Sequence, residues 1–266
     1  MNAHVQTEPN RPPTITTLHV NELGNLDHDG SFDATVIIDV IRAFTTAPWI
    51  LLRGAFRLLL ARDAESAVRE RDLLYPDALL VKDGQPDPRF HLPNSPGMIA
   101  RQDLDGCTVI QATGNGTRGA HAVRALAPVT LCASFVNVRA TVEALSAHPS
   151  VLLVPTEGDE DVALAEYLTV ALSTNRAPHP GPFLERVEKS SAGIECRDRG
   201  TDARFPGVDP DDQRRCLEVD AYEHALRVEE AGELLALSGR LRHQPWAGPD
   251  EPINRCARSG PRCRRG

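Results

Sequence analysis

The sequence predicts an α/β protein: a layered α/β/α domain with a largely parallel sheet, followed by an irregular C-terminal excursion. Three observations carry this. Apolar, β-rich runs alternate with helix-like segments through most of the 266 residues, the signature of a sheet with helices packed on it. The first run, Ala34-Thr35-Val36-Ile37-Ile38-Asp39-Val40-Ile41, is almost continuously apolar and β-branched, as expected of a strand covered on both faces. The composition, 41% hydrophobic and 25% charged, is that of an ordinary globular chain.

The elements follow in order. After the first strand, a helix is expected over 43–53, ended by Gly54. Pro48 falls inside it, so either its first turn is irregular or it begins at the proline. A strand is read at 57–61, and Asp63 is a good N-cap for a helix over 64–74. A short strand at 78–81 leads into an Asp-, Pro- and Gly-rich loop over 82–96. The alternation then repeats, with strands at 108–112, 129–133 and 151–155 and helices at 118–126, 138–147 and 161–172. Residues 174–216 show little periodicity and read as a long loop or a partly ordered excursion. The segment 217–237 reads as helix, with the option of a short strand at 216–219. Residues 1–30 are expected to form a loose lead-in and 241–266 a flexible basic tail, with one domain over 31–240 between them. That domain is readable as two intertwined halves, 31–97 and 98–240.

The formal net charge of -8 argues against a nucleic-acid binder, which needs clustered Lys and Arg. No stretch approaches the roughly 18 to 20 apolar residues of a membrane span, and the polar N-terminus does not resemble a secretory signal. A cytoplasmic protein is expected, with a homodimer left open. Of six cysteines, Cys107 and Cys132 lie in or beside apolar segments and read as small hydrophobes. Cys256 and Cys263 sit in the basic tail.

Ligands of α/β sheets bind outside the carboxyl ends of the strands. Three turns there carry polar groups. In the first, Asp39 ends an apolar strand, where a carboxylate is costly unless paired or metal-bound. Arg42 is either its ion-pair partner or a fork for a substrate anion. In the second, Thr113-Gly114-Asn115-Gly116-Thr117, glycines and a helix N-terminus suit an anion, although a tight turn capped by Thr117 accounts for it equally well. In the third, Ser134 and Asn137 are either substrate contacts or helix caps. Glu157, Asp159, Glu160, Asp161 and Glu166 form an acidic start to the next helix. One or two of these could bind a hard cation, while most suit the helix dipole. A further loop, His91-Leu92-Pro93-Asn94-Ser95-Pro96, joins the halves.

Together these motifs resemble the 2-phosphosulfolactate phosphatases. The carrying residues are Ile38-Asp39-Val40-Ile41-Arg42-Ala43-Phe44-Thr45-Thr46, Arg53-Gly54-Ala55, Asn94-Ser95-Pro96, Asn115-Gly116-Thr117, Ser134-Phe135-Val136-Asn137, Leu164-Ala165-Glu166-Tyr167-Leu168 and Cys216-Leu217-Glu218-Val219-Asp220. The resemblance implies a magnesium-dependent phosphatase acting on a small phosphorylated acid. In the family's named reaction, on the route to coenzyme M, 2-phosphosulfolactate loses phosphate. The chain departs from the pattern at Ala165-Glu166, usually Glu-Asp, and at His91, usually acidic. It departs again at Lys82-Asp83-Gly84-Gln85, usually Gly-Gly-Glu-Arg-like, and at Thr113-Gly114-Asn115, usually Thr-Thr-Asn. Asp83 or Glu166 is a substitute for the lost acids.

On this reading Asp39 binds magnesium or acts as nucleophile, and Glu166, Glu157 and Glu160 complete the oxygen shell. Thr113, Asn115, Gly116 and Thr117 cradle the phosphoryl group. Arg42 neutralises its charge or clamps the acid, and Asn94, Ser95, Ser134 and Asn137 orient the substrate. The alternatives are a degenerate, non-catalytic binding or accessory protein on the same fold, and a phosphatase for another metabolite.

Overall fold

The computed structural model describes residues 12–25 and 32–239. Residues 1–11 and 26–30 of the expected lead-in, together with residue 31 and the basic tail with Cys256 and Cys263, lie outside the described residues. The lead-in is not wholly loose. Strand β1 (Thr14–Thr17) pairs parallel with residues 150–153, so the ordered fold begins before residue 31.

The next elements lie close to their expected places. They are β2 (Ala34–Ile38), α1 (Ala43–Leu52), β3 (Arg57–Leu60), α2 (Ala64–Leu74) and β4 (Leu79–Lys82). Asp63 caps α2, with Ser66 returning the bond to the Asp63 backbone, which satisfies two donors that a helix start leaves orphaned. Helix α1 begins before Pro48 and contains it. A proline cannot donate to the carbonyl four residues back, which here is Phe44 O. The Ser134 hydroxyl donates to that oxygen instead, at 2.8 Å. The loop after β4 is not featureless, since it holds the two-residue strand β5 (Leu92–Pro93) and leads into α3 (Pro96–Ile99).

Then come β6 (Thr108–Ala112), α4 (Gly116–Val123), β7 (Val129–Ala133), α5 (Val138–Leu145), β8 (Ser150–Pro155) and α6 (Gly158–Thr174). The C-terminal region corrects two expectations. The segment 174–216 is not a long loop, because it forms α7 (Gly181–Lys189), α8 (Ser191–Gly200) and α9 (Asp212–Cys216). The segment read as helix over 217–237 is instead a hairpin, β9 (Leu226–Ala231) and β10 (Leu234–Ser238), turned by Gly232 at φ 69°. Helix propensity of a Leu-rich stretch is a weak prior, and ladder pairing on both sides overrides it.

The strand order is β1-β8-β2-β7-β9-β10-β3-β6-β4-β5. Two parallel groups, β1-β8-β2-β7 and β3-β6-β4-β5, are joined by the hairpin. β9 pairs antiparallel with β7, and β10 antiparallel with β3. One core contains Ile37 and Val154 from the first group, Leu58, Leu60, Val81 and Val109 from the second, and Phe44, Ala47, Ile50 and Ala120 from α1 and α4. Both groups thus bury one face against the same two helices. On the opposite face of the first group, Val36 and Ile38 pack with Leu164 and Leu168 of α6. The layered α/β/α arrangement follows from this alternation.

Cys107 is buried within the apolar core, as expected of a small hydrophobe. Cys132, Cys196 and Cys216 are free and buried. Among the described residues no helix is long and apolar enough to cross a membrane.

Candidate active site

Asp39 follows the last residue of β2, and the chain turns there into α1. The Asp39 carboxylate is 6% exposed. Its Oδ1 accepts the Ala43 backbone N–H at 2.9 Å. Burial, reinforced by the nearby charges of Asp83 and Glu160, pushes its pKa up to about 7. Glycine at 116 is needed for the approach of α4, since a Cβ there would lie 2.6 Å from Asp39 Oδ2 and 2.5 Å from the Ala43 Cβ. The first turn of α4 is therefore laid directly against the Asp39 carboxylate.

Asp161, in the first turn of α6, supports this corner. It accepts from Val40 N at 2.7 Å, Thr156 Oγ1 at 2.7 Å, Thr156 N at 3.2 Å and Glu157 N at 3.1 Å. Burial first, and then the nearby Asp39 charge, push the Asp161 carboxyl well above the usual carboxylate range.

Arg42 does not pair with Asp39. Its Nη1 is bonded to Asp212 Oδ2 and donates to Gly207 O at 3.3 Å. Asp212 is wholly buried. It also accepts from Ser95 Oγ at 2.7 Å, Gly97 N at 2.8 Å and Asp209 N at 3.0 Å. One carboxylate in α9 thus ties together the α1 start, the Asn94-Ser95-Pro96 loop and the C-terminal helices. No sequence signal points to Asp212, because nothing in residues 174–216 marks one polar residue out from the rest.

The residues expected to orient the substrate are all buried and bonded within the fold. Ser95 caps α3 and binds Asp212. Ser134 serves Phe44 O. Asn137 accepts from Ser134 N at 3.0 Å and donates to Cys132 O at 3.1 Å. All three are fully buried, so they position the backbone instead of facing a ligand. Asn94 is also buried, and its Oδ1 accepts from Gln111 Nε2 at 2.9 Å; the same amide nitrogen donates to Ala43 O at 3.0 Å. Thr113 and Thr117 clasp each other: Thr113 N donates to Thr117 Oγ1, and Thr117 N to Thr113 Oγ1. Gly114 N donates to Asp83 Oδ2 at 2.9 Å. The expected open cradle of backbone N–H groups is largely closed by these bonds.

What the turn leaves outside is Asn115 and Arg118. Asn115 is exposed, and its amide binds the Glu157 carboxylate across the mouth. Arg118 is exposed in the first turn of α4. A cation at that end of a helix opposes the helix dipole by roughly 0.3–1 kcal/mol. That mismatch is the sequence signal by which Arg118 could have been found.

The acidic residues differ in fit for a cation. Glu166 is excluded, since it lies half-exposed on α6 and binds Arg186, which also holds Asp159. Glu157 is engaged by Asn115. Glu160 is 4% exposed, and its Oε2 has no hydrogen-bond partner. Among the described residues no group of three or more His, Cys, Asp or Glu side chains could by itself hold a metal. Magnesium asks for less, since it is commonly bound by one or two carboxylates with waters and substrate phosphate. The buried, unpaired Glu160 oxygen and the neighbouring Asp39 fit that looser mode.

Comparison with known proteins places the chain in a family. Residues 21–184 match the family model described as 2-phosphosulpholactate phosphatase. A probable 2-phosphosulfolactate phosphatase of Bacillus subtilis is 31% identical over 76% of this chain and 90% of its own. Its namesake in Thermus thermophilus is 33% identical over 65% of this chain and 82% of its own. The one in Thermoplasma acidophilum is 30% identical over 72% and 84%. The matched span runs from before β2 into α7, so it takes in Asp39, Asn94, Gly116, Ser134 and α6. The chain belongs to the 2-phosphosulfolactate phosphatase family.

Proposed function

We propose that this protein hydrolyses a phosphate monoester of a small 2-hydroxy acid, with 2-phosphosulfolactate as the first compound to assay. The observation that carries the reading is Asp39, a buried carboxylate pushed up to about 7 and set against Gly116 at the start of α4. The phosphoryl group lies at this helix start, beside the exposed Asn115 and Arg118. Arg118 offers the planar donor fork suited to phosphate oxygens. Arg42, whose position is set by Asp212, directs its remaining guanidinium N–H groups to the acid group. Asp39 and Glu160 would hold magnesium, which would neutralise charge on the phosphoryl oxygens and make a bound water more acidic. Phosphoryl transfer depends mainly on such positioning and charge neutralisation.

The test is an assay of purified protein on 2-phosphosulfolactate and 2-phospholactate, with magnesium and with chelator. Asp39→Asn should lower kcat/KM at least 100-fold. Full magnesium-dependent activity in that variant would remove Asp39 from its role. A second reading, a binding protein on the same fold, is favoured by the lack of a three-ligand metal group among the described residues. Calorimetric titration separates the two, since a binding protein takes up the acid but shows no magnesium binding at millimolar concentration.

A further inference from the structure

A cleft of about 200 Å³ lies between the loop after β4, strand β5 and the Pro206-Gly207 turn. Its apolar walls include Phe90, Leu92, Pro93 and Pro206, and its polar lining includes Lys82 and His91. Two bonds set it beside the candidate active site. Asp83, between the lining residues Lys82 and Gly84, accepts from Gly114 N in the turn before α4. Gly207, another lining residue, accepts from Arg42. The cleft therefore shares one wall with the phosphoryl end of the site and one with the guanidinium assigned to the acid group.

We propose that this cleft takes the side group of the substrate, and that this group is apolar and of about phenyl size. The proposal rests on the phosphatase reading for which end of the substrate enters. Size and lining carry the rest. A cavity of about 150 Å³ lined by apolar side chains accommodates benzene, so the cleft has room for a ring. His91 is fixed for contact with such a group, because its Nδ1 accepts Leu80 N–H at 2.9 Å, which leaves the ring proton of the neutral form on Nε2. The one carboxylate among the lining residues, Asp87, is bound by Arg89. Lys82 lies 5.8 Å from the centre of the Phe90 ring and donates to Gln85 O at 2.6 Å.

The experiment compares the phosphate esters of 3-phenyllactate and lactate on the full chain. The phenyl compound should have a kcat/KM at least tenfold higher. Leu92→Trp, which fills the cleft from β5, should shrink that ratio at least fivefold. Equal kcat/KM for the two compounds in the wild-type protein would overturn the proposal. So would a preference for the phenyl compound that Leu92→Trp leaves intact in a folded protein. If Leu92→Trp does not fold, Pro206→Trp fills the cleft from the opposite wall and is read by the same ratio. If neither ester is hydrolysed, the phosphatase reading fails, and the cleft is tested alone by ligand-observed NMR with 3-phenyllactate. Binding by the wild-type chain that the filled variant loses sustains the cleft as an aryl site, and no binding overturns it.

Discussion

The turns after β6 and β7 begin from similar material and end in opposite states. Each follows a five-residue parallel strand, carries a hydroxyl and an asparagine, and leads into a helix. In the turn after β7, Ser134 and Asn137 are fully buried and their side chains bond to Phe44 O, Ser134 N and Cys132 O. In the turn after β6, the two threonines clasp each other, but Gly114, Asn115 and Arg118 stay exposed. The lesson is that a polar residue at a strand end is only a candidate. Its bonds decide whether it holds the backbone or meets a ligand.

Breaking each turn separately tests the contrast. The largest effect is expected where the open turn meets Asp39. Gly116→Ala inserts a Cβ 2.5 Å from the Ala43 Cβ and 2.6 Å from Asp39 Oδ2, so α4 must move. A displacement of that kind lowers kcat/KM by about 100-fold, measured on 2-phospholactate with folding checked by circular dichroism. Next is the closed turn. Asn137→Ala leaves Ser134 N and Cys132 O without partners and should cost about 2–3 kcal/mol in urea unfolding, with kcat of the folded fraction changed less than threefold. Asn115→Ala should do the reverse. Its exposed amide contributes under about 0.5 kcal/mol to stability, while kcat/KM falls about tenfold, or about 1.4 kcal/mol. If Asn137→Ala struck activity and Asn115→Ala struck stability, the roles assigned to the two turns would be reversed.

The smallest effect concerns the anchor of α4. His121 Nε2 lies 3.1 Å from Leu60 O in β3, and burial holds the imidazole below its usual 6.5. The unfolded chain then binds the proton more tightly than the folded one. Stability owed to neutral His121 is complete above pH 6.5 and is lost as pH falls from there through the folded value. Urea midpoints measured across that window should fall for the wild-type protein and fall less for His121→Gln, whose side-chain N–H can still reach Leu60 O.

Much of the frame was legible because its signals are local. The β-branched run of β2, the strands β6 and β7, and the Asp63 cap depend on neighbours within a few residues. The C-terminal third was harder. Helix α7 has Val187 as its one buried residue, so no wide apolar stripe announces it. In β10, Leu234, Leu235, Ala236 and Leu237 are all buried, because the hairpin is covered on both faces. Such a run cannot be told from a helix by periodicity. The two-residue Gly232-Glu233 link, with Ala231 paired to Leu234, was the available hairpin signal.

Composition and short-range pattern suffice to specify an α/β chain with a carboxylate at the end of a buried strand. The carboxylate's company depends on packing between distant parts of the chain. Arg42 lies three residues from Asp39, yet its partner is Asp212, 170 residues away along the chain. Glu166 goes to Arg186 on the outer face of α6, and Glu160 turns inward with an unpaired oxygen. Spacing along a strand or helix fixes which face a side chain occupies. Which distant group satisfies it is fixed only when the two parallel strand groups, the bridging hairpin and α6–α9 pack together, because burial then forces each polar group to find a partner or remain without one.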